Sequence, residues 1–150
     1  MRVLIQRVSE ASVKIDGHIK SQIDKGLLVL LGIENEDGQE DINWLVEKIL
    51  KLRVFDDEKG VMNLSLMDVG AEVLLISQFT LHASTRKGAR PSYIKAARPE
   101  KAIPLYELFI KTMEEKKGGE IATGAFGADM KVGLINDGPV TIWIDSRNKE

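Results

Sequence analysis

Three short stretches of this sequence carry residue types that do chemistry. The first is Ser77-Gln78-Phe79-Thr80, at the end of the apolar run Glu72 to Leu81, EVLLISQFTL. Where a strand leaves its ladder, backbone N–H groups are freed and can face a ligand. Such donors can hold a developing oxyanion, a contribution of about 10²–10³ in rate per donor. Thr80 adds a hydroxyl and Gln78 an amide. In strand alternation Gln78, Thr80 and His82 share one face, but a histidine at a strand end is ordinarily a surface residue. The second stretch is Asn136-Asp137-Gly138-Pro139, read here as a turn between two strands. The third runs from Arg86 to Arg98. It holds Arg86, Lys87, Arg90, Lys95 and Arg98, with no acid until Glu100. Tyr93 lies among these cations and offers a stacking face, so the stretch suits an RNA backbone as well as it suits a solvated loop.

The elements that must position these residues follow from periodicity. Arg2 to Val8 and Ala11 to Ile15 suit strands, and Asp16-Gly17 is a hairpin signal. Gly26 to Ile33 is apolar on both faces, which predicts a buried central strand. Asp41 to Leu52 has apolar Ile42, Leu45, Val46, Ile49 and Leu50, the spacing of an amphipathic helix. Trp44 falls at the edge of that stripe. Glu72 to Leu81 predicts a second buried strand. A second helix is expected from the Pro99–Pro104 region to about Lys116, with Leu105, Leu108, Phe109 and Met113 as its stripe and Pro104 confined to its first turn. Gly124 to Met130 lacks a following Gly-Lys-Ser/Thr, so it reads as a turn into the next strand, not a phosphate loop. Met130 to Ile135 and Val140 to Ile144 are the last two strands. The whole predicts one α+β domain, residues 1–150: a mainly antiparallel β-sheet or partly closed barrel with two flanking helices.

Composition narrows the function classes. The 150 residues include no cysteine, which removes disulfides, thiolate catalysis and cysteine-held zinc. His18 and His82 are far apart in sequence and Asp56-Asp57-Glu58 lacks calcium-loop spacing, so neither a metal nor a cofactor is expected. No apolar run approaches the ~20 residues of a membrane helix, and the N-terminal run is too short for a signal peptide. A cytoplasmic protein with no membrane partner is the expectation. The net charge of −2 requires any RNA contact to come from a local patch.

Together the stretches resemble one family, the bacterial-type D-aminoacyl-tRNA deacylases. The matching segments are RVSEASV (7–13), GLLVLLGIE (26–34), KILKLRVFDDEKGVMNLS (48–65), SQFTL (77–81), KGARPS (87–92), TGAFGADM (123–130) and NDGPVT (136–141), in the family's order. The resemblance implies a homodimer of small β-rich subunits with active sites at the interface. It implies that Ser77, Gln78, Phe79 and Thr80 surround the scissile ester of a D-aminoacyl-tRNA, with Met130 nearby. It implies a cis Gly138–Pro139 bond that reaches, with Asn136 beside it, into the partner's site. A rigid backbone there is expected to exclude an L side chain sterically while admitting glycine, which has no side chain to clash. Arg86, Lys87, Arg90 and Lys95 would contact the tRNA. His82 falls at a variable position of the family and is a poor choice for a base. Two catalytic accounts stay open: attack by Thr80, or backbone N–H groups near Phe79 and Thr80 holding the oxyanion while the ribose 2′-OH helps activate water. A non-catalytic RNA-binding module and a hydrolase of small D-amino-acid esters are the readings from other classes.

Overall fold

The computed structural model describes all residues, Met1–Glu150. Strand β1 (Arg2–Ile15) is the spine of the sheet. Its second half pairs with β2 (His18–Ile23) and its first half with β3 (Gly26–Gly32), both antiparallel. The hairpin between β1 and β2 turns at Asp16 (φ 50°) and Gly17 (φ 79°), as the Asp-Gly signal requires. Strand β8 (Lys131–Asp145) runs antiparallel along the other edge of β1 for nearly its whole length.

The far side of the sheet is parallel. Strand β6 (Glu72–Ser77) pairs parallel with β3, and β7 (Ala122–Thr123) pairs parallel with β6. The expectation of a mainly antiparallel sheet therefore holds on the β1 side, while the whole is mixed. The reason lies in the connections, because parallel neighbours need a long crossover. Between β3 and β6 the chain runs through α1 (Gln39–Lys51), the β4–β5 hairpin (Phe55–Asp56 and Met62–Leu64) and the short helix α2 (Leu66–Val69). Between β6 and β7 it runs through a 3-10 turn (Phe79–His82) and α3 (Pro99–Lys117). The Ser21 hydroxyl donates to the Thr123 carbonyl at 2.7 Å, which draws β2 toward β7 and nearly closes the sheet into a barrel.

Both faces of β3 and β6 are covered, which explains their unbroken apolar runs. Leu27, Val29, Leu31, Val73 and Leu75 pack with Ile42, Leu45, Val46 and Ile49 of α1 and with Phe109 and Met113 of α3. The opposite face supplies Leu28, Leu74 and Ile76 to a second cluster with Val8, Ala11, Val13 and Ile23. Each large apolar side chain buried this way stabilises the fold by about 1.5–3 kcal/mol.

Three expectations need correction. The buried stripe of α3 is Ala102, Tyr106, Phe109 and Met113, with Leu105 and Leu108 at its borders. Pro104 lies inside α3 beyond its first turn, where it deprives the Glu100 carbonyl of its helical donor; Pro99 takes the favourable first position instead. The last two strands are one: both halves of β8 pair with β1 in the same direction, so Asn136-Asp137-Gly138-Pro139 bulges outward and does not reverse the chain.

Candidate active site

Strand β6 delivers Ser77 to the rim of the sheet, and the Gln78 N–H still reaches the Leu31 carbonyl at 2.7 Å. There the ladder ends. Leu81 N–H bonds back to the Gln78 carbonyl (3.2 Å) and Ala83 N–H to Thr80 (3.0 Å), winding Phe79–His82 into a 3-10 turn. The expected strand through Leu81 is thus overturned, and with it the shared face of Gln78, Thr80 and His82. Gly32 makes the turn feasible: a Cβ there would stand 3.0 Å from the Gln78 carbonyl oxygen, the Leu81 Cβ and the His82 ring. As at any helix start, the N–H groups of Phe79 and Thr80 precede the first internal bond and have no acceptor within the turn.

The Thr80 hydroxyl accepts a bond from the Gln78 amide at 2.5 Å, and no carboxylate or imidazole partners it. His82 is buried, not superficial, and both its ring nitrogens lack a hydrogen-bond partner. Its Nδ1 lies 3.9 Å from a Glu34 carboxylate oxygen. Burial pushes the imidazole pKa down, helped by the Arg2 charge and the terminal ammonium and opposed by the Gly32 backbone and Glu34. Arg2 ties the far end of the turn to the sheet, donating to the Leu81 carbonyl at 3.0 Å and to Asp145 at 2.8 Å. Burial disfavours the Asp145 charge, but the Arg147 N–H and the Arg2 guanidinium hold that carboxyl below the usual range.

A cavity of about 270 Å³ opens beside the turn, lined by Ser77, Gln78 and Phe79 and by apolar side chains including Leu31, Ile76, Phe126 and Met130. Gly124 lets Met130 lean across it, since a Cβ there would meet the Met130 sulfur at 2.5 Å. Phe126 is backed by Tyr106, ring centroids 5.8 Å apart. The Tyr106 hydroxyl donates to the Leu75 carbonyl at 3.2 Å, and burial pushes its pKa up to about 12. Thr80 is not among the lining residues. Nor are Asn136, Gly138 and Pro139 of the same chain.

Those last residues form the β8 bulge opposite Arg7. Register passes from Gln6↔Thr141 to Val8↔Asn136, so two steps on β1 face five on β8. Asn136 spans the bulge with its side chain, accepting from Val140 N–H at 2.8 Å and donating to the Val140 carbonyl at 3.2 Å. Arg7, which takes the next inward-facing position after the buried Met1, Val3 and Ile5, donates to the carbonyls of Asp137 (2.8 Å) and Val54 (2.6 Å) and to Asp56 (3.1 Å). Sequence reasoning assigns Arg7 no role, although an arginine in alternation with Val3 and Ile5, on the face meant for the core, is a signal that could have found it. The Gly138–Pro139 bond is cis, and Gly138 has φ 149°. A Cβ there would lie 2.8 Å from Val140 Cγ2 and 2.9 Å from Val140 N, so only glycine fits.

The basic stretch follows the 3-10 turn directly. Ser84 and Ser92 close it through paired backbone bonds of 2.8 and 2.9 Å, and Ala97 N–H docks it on the Ile33 carbonyl at 2.9 Å. Arg86, Lys87, Arg90, Lys95 and Arg98 are all exposed. Tyr93 meets Phe79 edge-on, ring centroids 5.1 Å apart.

Known proteins resemble this chain in sequence and in fold. The family described as D-Tyr-tRNA(Tyr) deacylase matches residues 4–145. The chain is 65% identical to the D-aminoacyl-tRNA deacylase of Bacteroides thetaiotaomicron and 62% identical to that of Flavobacterium johnsoniae, over the full length of both partners in each case. Among solved structures, a c-Myc DNA unwinding element binding protein superimposes with a TM-score of 0.91 at 42% identity, covering 97% of this chain and 98% of the other. A probable eukaryotic D-amino acid tRNA deacylase superimposes at 0.81 with 16% identity, covering 95% and 97%, a likeness of fold. This chain belongs to the D-aminoacyl-tRNA deacylase family, hydrolases of the ester that joins an amino acid to tRNA.

Proposed function

We propose that this protein removes D-amino acids, and glycine where it is misattached, from tRNA, and that Gly138–Pro139 is its chirality filter. The observation that carries the reading is the 3-10 turn: the N–H groups of Phe79 and Thr80 stand free at a turn whose Ser77, Gln78 and Phe79 line an apolar cavity. Two donors held by backbone need no reorganisation when the ester carbonyl becomes an oxyanion. Water adds to the carbonyl carbon and the bond to the ribose oxygen breaks. That oxygen takes the proton, leaving free amino acid and tRNA. The Thr80 hydroxyl makes its hydrogen bond as an acceptor and faces no base, which favours water activated with help from the substrate's 2′-OH over a Thr80 nucleophile.

Chirality needs a wall. D and L amino acids present the same groups, and a 10⁴ preference requires about 5.5 kcal/mol. A yielding apolar pocket supplies only ~1–3 kcal/mol for a methylene-sized difference. The bulge is stiffer, being braced by Arg7 on one side and Asn136 on the other. It does not line the cavity of its own chain. A homodimer in which each bulge closes the partner's cavity reconciles these two facts, and the exposed Leu134, Ile135 and Trp143 of β8 offer apolar surface for it. No helix is long and apolar enough to cross a membrane, and the proposed setting is the cytoplasm, where charged tRNA is made.

The test is release of amino acid from D-tyrosyl-, L-tyrosyl- and glycyl-tRNA by the purified protein. Cleavage of the D and glycyl substrates with the L substrate intact is expected. Binding of tRNA without cleavage would instead make the chain an RNA-binding module, and cleavage of free D-amino-acid esters alone a small-ester hydrolase.

A further inference from the structure

We propose that the Phe79–Tyr93 pair is a stacking shelf for the unpaired nucleotides that precede the terminal adenosine of the tRNA, with the 86–98 stretch holding their phosphates. The inference rests on tRNA being the substrate. Phe79 is 55% exposed and Tyr93 39%, although large aromatics are ordinarily among the better-buried side chains. Their edge-to-face contact fixes both rings without hiding them. Ile94, 87% exposed, continues the apolar surface.

Three features point to a single-stranded nucleic acid as the occupant. Tyr93 sits within a run of five exposed cations, Arg86, Lys87, Arg90, Lys95 and Arg98, and holds the Phe79 ring against that run; the chain's net charge is −2, so the positive charge is local. Aromatic faces joined to a cationic track are how proteins hold unpaired bases without reading their sequence. Phe79 also belongs to both places: its side chain makes the shelf, and its own N–H is one of the two donors proposed for the oxyanion. A base stacked there is therefore one step from the ester. The closures at Ser84–Ser92 and Ala97–Ile33 hold the stretch against the sheet, so the shelf is a formed surface.

Tyr93 is the residue to test, because it lies outside the proposed catalytic turn. Wild type, Tyr93→Ala and Tyr93→Phe are assayed on D-tyrosyl-tRNA and on D-tyrosyl-adenosine, which lacks the preceding nucleotides. Tyr93→Ala is expected to lower kcat/KM on the tRNA substrate by about tenfold to a hundredfold, mainly through KM, as loss of one stacked base does. It leaves the adenosine substrate unchanged, and Tyr93→Phe restores the tRNA rate. An equal fall on both substrates would make Tyr93 a prop for the 3-10 turn and overturn the shelf. So would no change on either. A changed sedimentation coefficient in Tyr93→Ala would assign the ring to a contact between subunits and overturn the shelf as well. Failure of wild type to cleave either substrate strikes the deacylase reading itself, a result distinct from every outcome for Tyr93.

Discussion

The buried Arg7 guanidinium holds the Asp137 carbonyl at 2.8 Å, one residue before Gly138. The same side chain holds the Val54 carbonyl. One arginine thus couples the β8 bulge to the segment that enters the β4–β5 hairpin. Arg7→Ala would leave two carbonyls short of a donor. We expect a loss of about 2–4 kcal/mol in urea unfolding and a selective rise in L-aminoacyl-tRNA cleavage relative to D. Arg7→Lys keeps the charge but not the fork, and should recover stability better than selectivity. Unchanged selectivity in a folded Arg7→Ala protein would separate the bulge from the filter.

Gly138→Ala places a Cβ at φ 149° and within 3 Å of Val140 atoms. The expected cost is about 1–3 kcal/mol, read from the thermal midpoint, together with loss of D-aminoacyl-tRNA turnover as the bulge shifts. Pro139→Ala, by contrast, tests the wall alone. It should begin to cleave L-aminoacyl-tRNA, and a variant that still ignores the L substrate sinks the steric filter.

Thr80→Ala removes the only hydroxyl in the proposed nucleophile account but keeps the N–H of residue 80. Turnover should stay within about an order of magnitude of wild type, with D-aminoacyl-tRNA in excess, because losses of 10²–10³ accompany removal of a donor and not of a bystander. A collapse beyond that range, with an acyl-enzyme trapped in wild type, would return Thr80 to the nucleophile's place. A tRNA ending in 2′-deoxyadenosine tests the other account and should be cleaved poorly.

Acid sensitivity should begin earlier than carboxylates alone allow. Burial lowers the His82 pKa in the folded protein, so the unfolded chain binds the proton first. Stability is then full above about pH 6.5, the ordinary imidazole value, and falls as pH drops through the lowered folded value. Protonation would also place a cation beside Arg2 and the terminal ammonium, opposed by the Glu34 carboxylate. The lowered carboxyls of Asp41 and Asp145 lose their contribution only at lower pH, through and below about 4. Urea midpoints of His82→Gln measured from pH 8 to 5 should fall less steeply than those of wild type, and parallel slopes would refute the assignment.

Much of this fold is readable from residue types alone, and the reasons for the exceptions are physical. The helix over residues 39–51 follows its apolar spacing, and the Asp16-Gly17 hairpin follows its φ requirements. Strand ends are less legible. EVLLISQFTL is uniformly compatible with a strand, and what stops it at Ser77 is Gly32, a residue 45 positions earlier whose missing Cβ makes room for the turn. Likewise Asn-Asp-Gly-Pro has the composition of a reversal, yet Arg7 and Asn136 satisfy its backbone as a bulge. The burial of His82 escapes sequence reasoning for the same reason: a 3-10 turn rotates it inward where a strand would have left it at the rim. Local composition reports what a backbone prefers, and these three places are decided by partners distant in sequence.

The pairing of β1 with β8 also sets the order of assembly. Arg2 lies opposite Asp145, 143 positions further along the chain, and closing so long a loop costs entropy before any ladder bond forms. During synthesis the first strand would emerge early, pair with β2 and β3, and keep its other edge open until β8 follows. A chain released before β8 would carry a 14-residue strand with unsatisfied backbone groups along one side, a template for pairing with its neighbours. Folding should accordingly be slow for a protein of this length, in the range of barrels rather than helical bundles. The β8 bulge proposed as the filter would be among the last parts of the molecule to form.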